Sequence, residues 1–189
     1  LADQLQFWVD HMRAFNHHIA DFVRNELGCP VLINAGNWKT ADNILLNDSE
    51  RYSYTINDVL AVNRYFNAMH EGPNKGWAIV AGDFFQNKSV LGEGALDFPI
   101  NLKQAKGYPM MVTESTWVYP METGFEAPLL LSAYSSLTGV DAYYWFSSGV
   151  DDFEKPRSAN GYLADSQVMW LCMNPDMAGQ WPAASLLFR

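Results

Sequence analysis

Glu114 ends the run Pro109-Met110-Met111-Val112-Thr113, five mostly apolar residues of strand character, and Trp117 follows three positions later. A short apolar run bounded by turn residues reads as a strand covered on both faces, and in parallel α/β proteins the ends of such strands are where sites are built. A carboxylate there suits acid, base or nucleophile chemistry. The plain alternative is that Glu114 is solvated where the strand leaves the sheet, and the nonapeptide alone leaves both readings open.

The elements that must position Glu114 follow from the spacing of apolar residues. Over residues 1–27, Leu5, Trp8, Val9, Met12, Phe15, Ile19, Phe22 and Val23 recur at three- and four-residue intervals, which predicts one long amphipathic helix. Gly28 stops it and Pro30 prevents its continuation. Val31-Leu32-Ile33-Asn34 then reads as a short buried strand, 35–40 as a loop and 41–54 as a weak helix. Residues 58–66 read as a second strand, 77–80 as an extra strand and 87–98 as a loop. The third strand ends at Glu114. Glu126-Ala127-Pro128 opens a helix that stops at Gly139, with Glu126 complementing its N-terminus. Residues 140–146 form the fourth strand, and 163–173 and 182–188 are expected as helical cover, interrupted by Asn174-Pro175.

Alternation of strands and helices predicts parallel βαβ units. The strand tips carry side chains suited to sugars: Asn34 and Trp38, Asn63 and Tyr65, Glu114 and Trp117, and Trp145. An open doubly wound sheet would instead show a glycine-rich turn, and Gly92-Glu93-Gly94 lacks the third glycine, the strand and the helix of that fingerprint. The expected fold class is therefore α/β, a (β/α)₈ TIM barrel with its site at the C-terminal strand ends.

Composition excludes several partners. The chain has 189 residues, is 49% hydrophobic and carries a net charge of -9. It is core-rich, and without a basic face neither nucleic acid nor an anionic membrane is an expected partner. No apolar run reaches the roughly 20 residues that span a bilayer. Seven Trp, nine Tyr and eleven Phe leave rings for flat platforms of the kind on which sugar faces stack. Metal is not expected. His11 and His18 fall about 10 Å apart along a helix, His17 diverges from His18 by about 100°, and the acidic loop 150–154 lacks calcium-loop spacing. No cofactor is expected, and the spacing of Cys29 and Cys172 leaves their pairing open, with buried free thiols the expected state.

Met111-Val112-Thr113-Glu114, followed one helix later by Val140-Asp141-Ala142-Tyr143-Tyr144-Trp145-Phe146, resembles strands seven and eight of the retaining TIM-barrel glycoside hydrolases. Residues 125–134 and 179–184 are similar to segments of the β-agarase and β-porphyranase-like branch. The resemblance implies that Glu114 is the nucleophile, that Tyr65 hydrogen-bonds it, and that Trp145 is the aromatic ending strand eight. It makes residues 31–34 strand five and 58–65 strand six. Trp117 and Trp145 would then stack on sugar rings, and Asn34, Trp38 and Asn63 would bind hydroxyls.

On that register residues 1–189 supply the C-terminal half of the barrel, strands five to eight with their helices. The partner expected is the N-terminal half, from the same longer chain or a second chain, because four strands alone leave open edges. A retaining glycosidase needs two carboxyl groups about 5–5.5 Å apart, and the general acid/base would come from that other half. The implied activity is hydrolysis of an oligo- or polysaccharide, possibly a galactan such as agar or porphyran, in a secreted or periplasmic enzyme. Two other classes stay open. One is a non-catalytic carbohydrate-binding barrel fragment; the other is a barrel lyase, for which Lys39 is the nearby lysine.

Overall fold

The computed structural model describes residues 1–38, 45–66, 69–72, 78–80, 82–93, 98, 104–148, 166–168, 170 and 172–188. The acidic loop 150–154 and Lys39 lie outside them. The chain divides into two compact units. The first comprises Leu1–Asn63, Lys103–Thr113 and Val140–Ala142; the second comprises Arg64–Leu102, Glu114–Gly139 and Tyr143–Arg189. Three strands, Leu60–Asn63 (β1), Met110–Ser115 (β5) and Ala142–Trp145 (β6), form a sheet in the order β1-β5-β6. It is parallel. Donors and acceptors advance together, Leu60 to Pro109 and then Arg64 to Glu114 on one side of β5, Asp141 to Met110 and then Phe146 to Ser115 on the other.

In the first unit, helix Ala2–Asp21 (α1) runs into a π-helical turn, Phe22–Glu26, and Gly28 at φ +65° ends it in the left-handed conformation that lacks a Cβ penalty. Helix Asn47–Tyr54 (α2) packs on α1 through polar ties. Arg13 Nη1 donates to Tyr52 O at 2.7 Å and Thr55 Oγ1 at 2.8 Å, with its guanidinium 4.4 Å from the Tyr52 ring centre. Buried Arg51 donates to Ala61 O of β1 at 2.8 Å, which ties α2 to the strand whose Leu60, Ala61 and Val62 are buried. The Tyr54 phenol donates to Glu50 at 3.0 Å, and burial followed by the Glu50 charge pushes it up to about 12.

The strand expected at residues 31–34 does not form. Asp58 takes its place in the pairing: its carboxylate accepts the Ile33 N–H at 2.8 Å and the Ile33 carbonyl accepts Asp58 N–H at 3.0 Å. Arg24 pairs with the same carboxylate. With the Ile33 amide held by a side chain and Pro30 lacking a donor, no ladder propagates, and Val31 and Leu32 are exposed.

In the second unit the 3₁₀ turn Glu122–Glu126 leads into helix Ala127–Thr138 (α4), which has Pro128 in its first turn and ends at Gly139, φ +74°. Glu126 is the N-cap residue of this helix, and its side chain bonds elsewhere. It is buried, and it accepts Ser89 Oγ at 2.5 Å and Val90 N at 3.0 Å, holding the start of a short helix, Val90–Glu93 (α3), inside the expected loop. Two antiparallel pairs complete the unit: His70–Glu71 (β2) with Phe84–Phe85 (β4), and Ala78–Val80 (β3) with Ser166–Val168 (β7). The last corrects the helical cover expected over 163–173. A short apolar run carries no period of its own, and here a strand partner decides it. Helices Pro175–Ala178 (α5) and Trp181–Leu187 (α6) follow, the first capped by Asn174 Oδ1 accepting Met177 N at 2.8 Å.

Cys29 and Cys172 are both free thiols. Among the described residues no helix is long and apolar enough to cross a membrane.

Large apolar side chains of α1 are exposed alongside its polar ones: Phe7, Trp8 and Phe15 are 61%, 62% and 58% exposed. Apolar exposure of this kind drives association. The 189-residue chain on its own is therefore expected to self-associate in sedimentation velocity runs at micromolar concentration, and a single monomeric species would contradict this.

Candidate active site

β5 is the central strand of the parallel sheet, and alternation along it sets what each residue meets. Met110 and Val112 are buried, at 2% and 0% exposure, while Met111 and Thr113 are half-buried. Glu114 is half-buried at the C-terminal end. Its carbonyl accepts the Arg64 N–H at 2.9 Å, so the backbone at the tip is fixed by its neighbour in the ladder. One residue beyond Arg64, the Tyr65 phenol donates to Glu114 Oε2 at 2.8 Å.

This contact joins two residues 49 positions apart through parallel pairing alone. Burial, then the hydrogen bond to Glu114, then the Glu114 charge hold the Tyr65 phenol far above the usual tyrosine range. Tyr65 thus stays protonated, and a donor, beyond the pH at which an ordinary tyrosine ionises.

Two further rings surround Tyr65. Phe146 lies 6.5 Å from it, edge-on, and Trp170 lies 6.2 Å from it. Both are positioned by backbone bonds where β6 ends: Phe146 N donates to Ser115 O at 3.0 Å, Ser147 N to Trp170 O at 2.5 Å and Cys172 N to Ser147 O at 3.0 Å. The Phe146–Ser147 peptide is cis.

Trp145, expected as a sugar platform, is placed otherwise. Side chains alternate along β6, and Trp145 shares a side with Tyr143, its ring centre 5.1 Å away. Its ring stacks on Trp181 of α6 at 6.2 Å and lines a cavity of about 270 Å³ with Leu131 of α4 and Phe188. Phe146, one residue on, is the aromatic that meets Tyr65. Trp117 is also corrected. It is 1% exposed, 5.2 Å from Phe66 and 6.1 Å from Phe98, so its ring is core and presents no face to a ligand.

Asn34, Trp38 and Asn63 belong to the first unit. There Asn34 and Trp38 are exposed, Asn63 N donates to Asn37 O at 2.8 Å, and Asn63 Oδ1 accepts Thr113 Oγ1 at 2.8 Å. Phe146 and Trp170 were not anticipated. The parity of β6 carries the signal for Phe146, while Trp170 sits in an apolar stretch that reads as helix.

Among the described residues no group of three or more His, Cys, Asp or Glu is arranged to hold a metal ion. His17 pairs with Asp21 at 3.0 Å on the surface of α1, and His11 stacks on Phe7. No family model, curated protein or solved structure matches this chain.

The ordering of the causes at Tyr65 makes a prediction. In absorbance titrations at alkaline pH, Tyr65→Phe should remove one late-ionising phenol. Glu114→Gln should move that phenol's midpoint down, because the charge goes while the amide oxygen can still accept its hydrogen bond, yet leave it above 10, because burial is the largest cause. No change on Glu114→Gln would contradict the pairing.

Proposed function

We propose that this chain is the C-terminal half of a (β/α)₈ barrel glycoside hydrolase of the retaining type, with Glu114 as nucleophile and Tyr65 as the residue that orients it. The observation that carries the reading is the 2.8 Å bond from Tyr65 Oη to Glu114 Oε2 at the C-terminal end of parallel strands. Ligands in parallel α/β folds bind at that end. The phenol fixes one carboxylate oxygen and leaves Oε1 to attack the anomeric carbon. As the new C–O bond forms, the glycosidic C–O bond breaks and a second carboxyl group protonates the leaving oxygen. That group then takes a proton from the water that hydrolyses the glycosyl ester, and Glu114 is released as carboxylate.

In this proposal the acid/base comes from the N-terminal half of the barrel, in the same longer chain or a second one. Phe146 and Trp170 replace Trp145 and Trp117 as the rings near the reacting sugar, since a π-face meets the pyranose C–H groups favourably. The substrate class is an oligo- or polysaccharide, a galactan among the candidates, and the enzyme would be secreted or periplasmic.

Substitution in the natural polypeptide tests this. Glu114→Gln keeps size and most hydrogen bonds but cannot attack, so turnover should fall by about four orders of magnitude or more with saccharide affinity nearly unchanged. Tyr65→Phe should cost roughly a hundredfold in kcat. Phe146→Ala should weaken binding, whereas Trp145→Ala should lower the melting temperature without altering KM. Full turnover by Glu114→Gln would overturn the assignment, and saccharide binding without any turnover in the natural protein would favour the non-catalytic sugar-binding reading.

A further inference from the structure

A second cavity lies in the chain that leaves the C-terminal ends of β5 and β6. It is a cleft of about 550 Å³, walled on one side by the connection from β5 to α4 and on the other by the residues that open α5. Val118 N donates to Phe66 O at 2.9 Å, and Cys172 N to Ser147 O at 3.0 Å, so each wall is anchored at a strand end. Tyr119 stands five residues past Glu114, which an extended chain places no more than about 18 Å away.

The lining has a definite chemistry. Tyr119 and Phe125 supply rings, and Phe125 is 53% exposed, so a face of it is open to solvent. Asn174 supplies an amide, and Glu122 and Asp176 supply carboxylates, while no Lys, Arg or His is among the described lining residues. Glu122 is held in place by Asn87. Asn87 Nδ2 donates to Glu122 Oε2 and Glu122 N donates to Asn87 Oδ1, both at 3.1 Å. Aromatic faces with fixed polar groups suit a pyranose, since the rings meet its C–H groups and the carboxylates accept its hydroxyls. Two carboxylates with no cation reject a sugar bearing its own negative charge, because such a ligand brings like charges together and loses its counterions.

Building on the glycoside hydrolase reading, we propose that this cleft is a distal subsite for an uncharged sugar unit, and that Glu122 and Asp176 discriminate there against sulfated units of the same polysaccharide.

Calorimetric titration of the natural polypeptide carrying Glu114→Gln, in which nothing is hydrolysed, tests this with two probes of equal length: a neutral agarose oligosaccharide and a sulfated porphyran oligosaccharide. The neutral probe should bind at least about fivefold tighter, the scale of one close like-charge contact in water. Phe125→Ala should weaken the neutral probe roughly tenfold. Adding Glu122→Gln and Asp176→Asn, which keep side-chain size, should erase the preference. Equal binding of the two probes before those changes, tighter binding of the sulfated probe, or a preference untouched by them would overturn the subsite and leave Glu114 standing. Binding of neither probe would overturn the subsite, while the glycoside hydrolase reading stands or falls separately, on whether an activated fluoro-sugar labels Glu114.

Discussion

The hydrogen bond from the Tyr65 phenol to Glu114 Oε2, at 2.8 Å, satisfies two part-buried polar groups at the strand tips, and the arrangement around them depends on it. The bond depends on register. Tyr65 follows β1 by two residues and Glu114 is the fifth residue of β5, and the Arg64 N–H to Glu114 carbonyl bond sets the tips level. A slip of one residue would turn one of the pair to the opposite face. The surroundings serve that register: Phe66 and Trp117 continue the parallel pairing past the tips as a bridge, and their rings pack at 5.2 Å.

Elements with strong local signals were legible in the sequence. The three- and four-residue spacing of α1, its stop at Gly28, the strand ending at Glu114, and α4 between Pro128 and Gly139 all follow from residues that act on their own neighbourhood. What failed depended on distant partners. Residues 31–34 look like a strand until Asp58 takes the Ile33 amide. Ser166–Val168 becomes a strand because Ala78–Val80 is there to pair with it.

Within the site, chemistry was more legible than orientation. Glu114 was named from residue type and strand position and its bond to Tyr65 from the family resemblance, and the structure brings the two together. The aromatics were misjudged by side. Tryptophan draws attention for its size, yet Trp145 turns toward α6 and Trp117 into the core, while the smaller Phe146 takes the position beside Tyr65. Strand parity would have separated Trp145 from Phe146, since side chains one residue apart face opposite ways.

The account turns on whether Glu114 forms a covalent bond to sugar. An activated 2-deoxy-2-fluoro-galactoside slows breakdown of such an intermediate, so mass spectrometry of the digested natural polypeptide after reaction reports the attachment site. The account predicts one fluoro-sugar on the peptide containing Glu114, absent from the Glu114→Gln protein. A label on another carboxylate, or steady turnover with no adduct at Glu114, would contradict it.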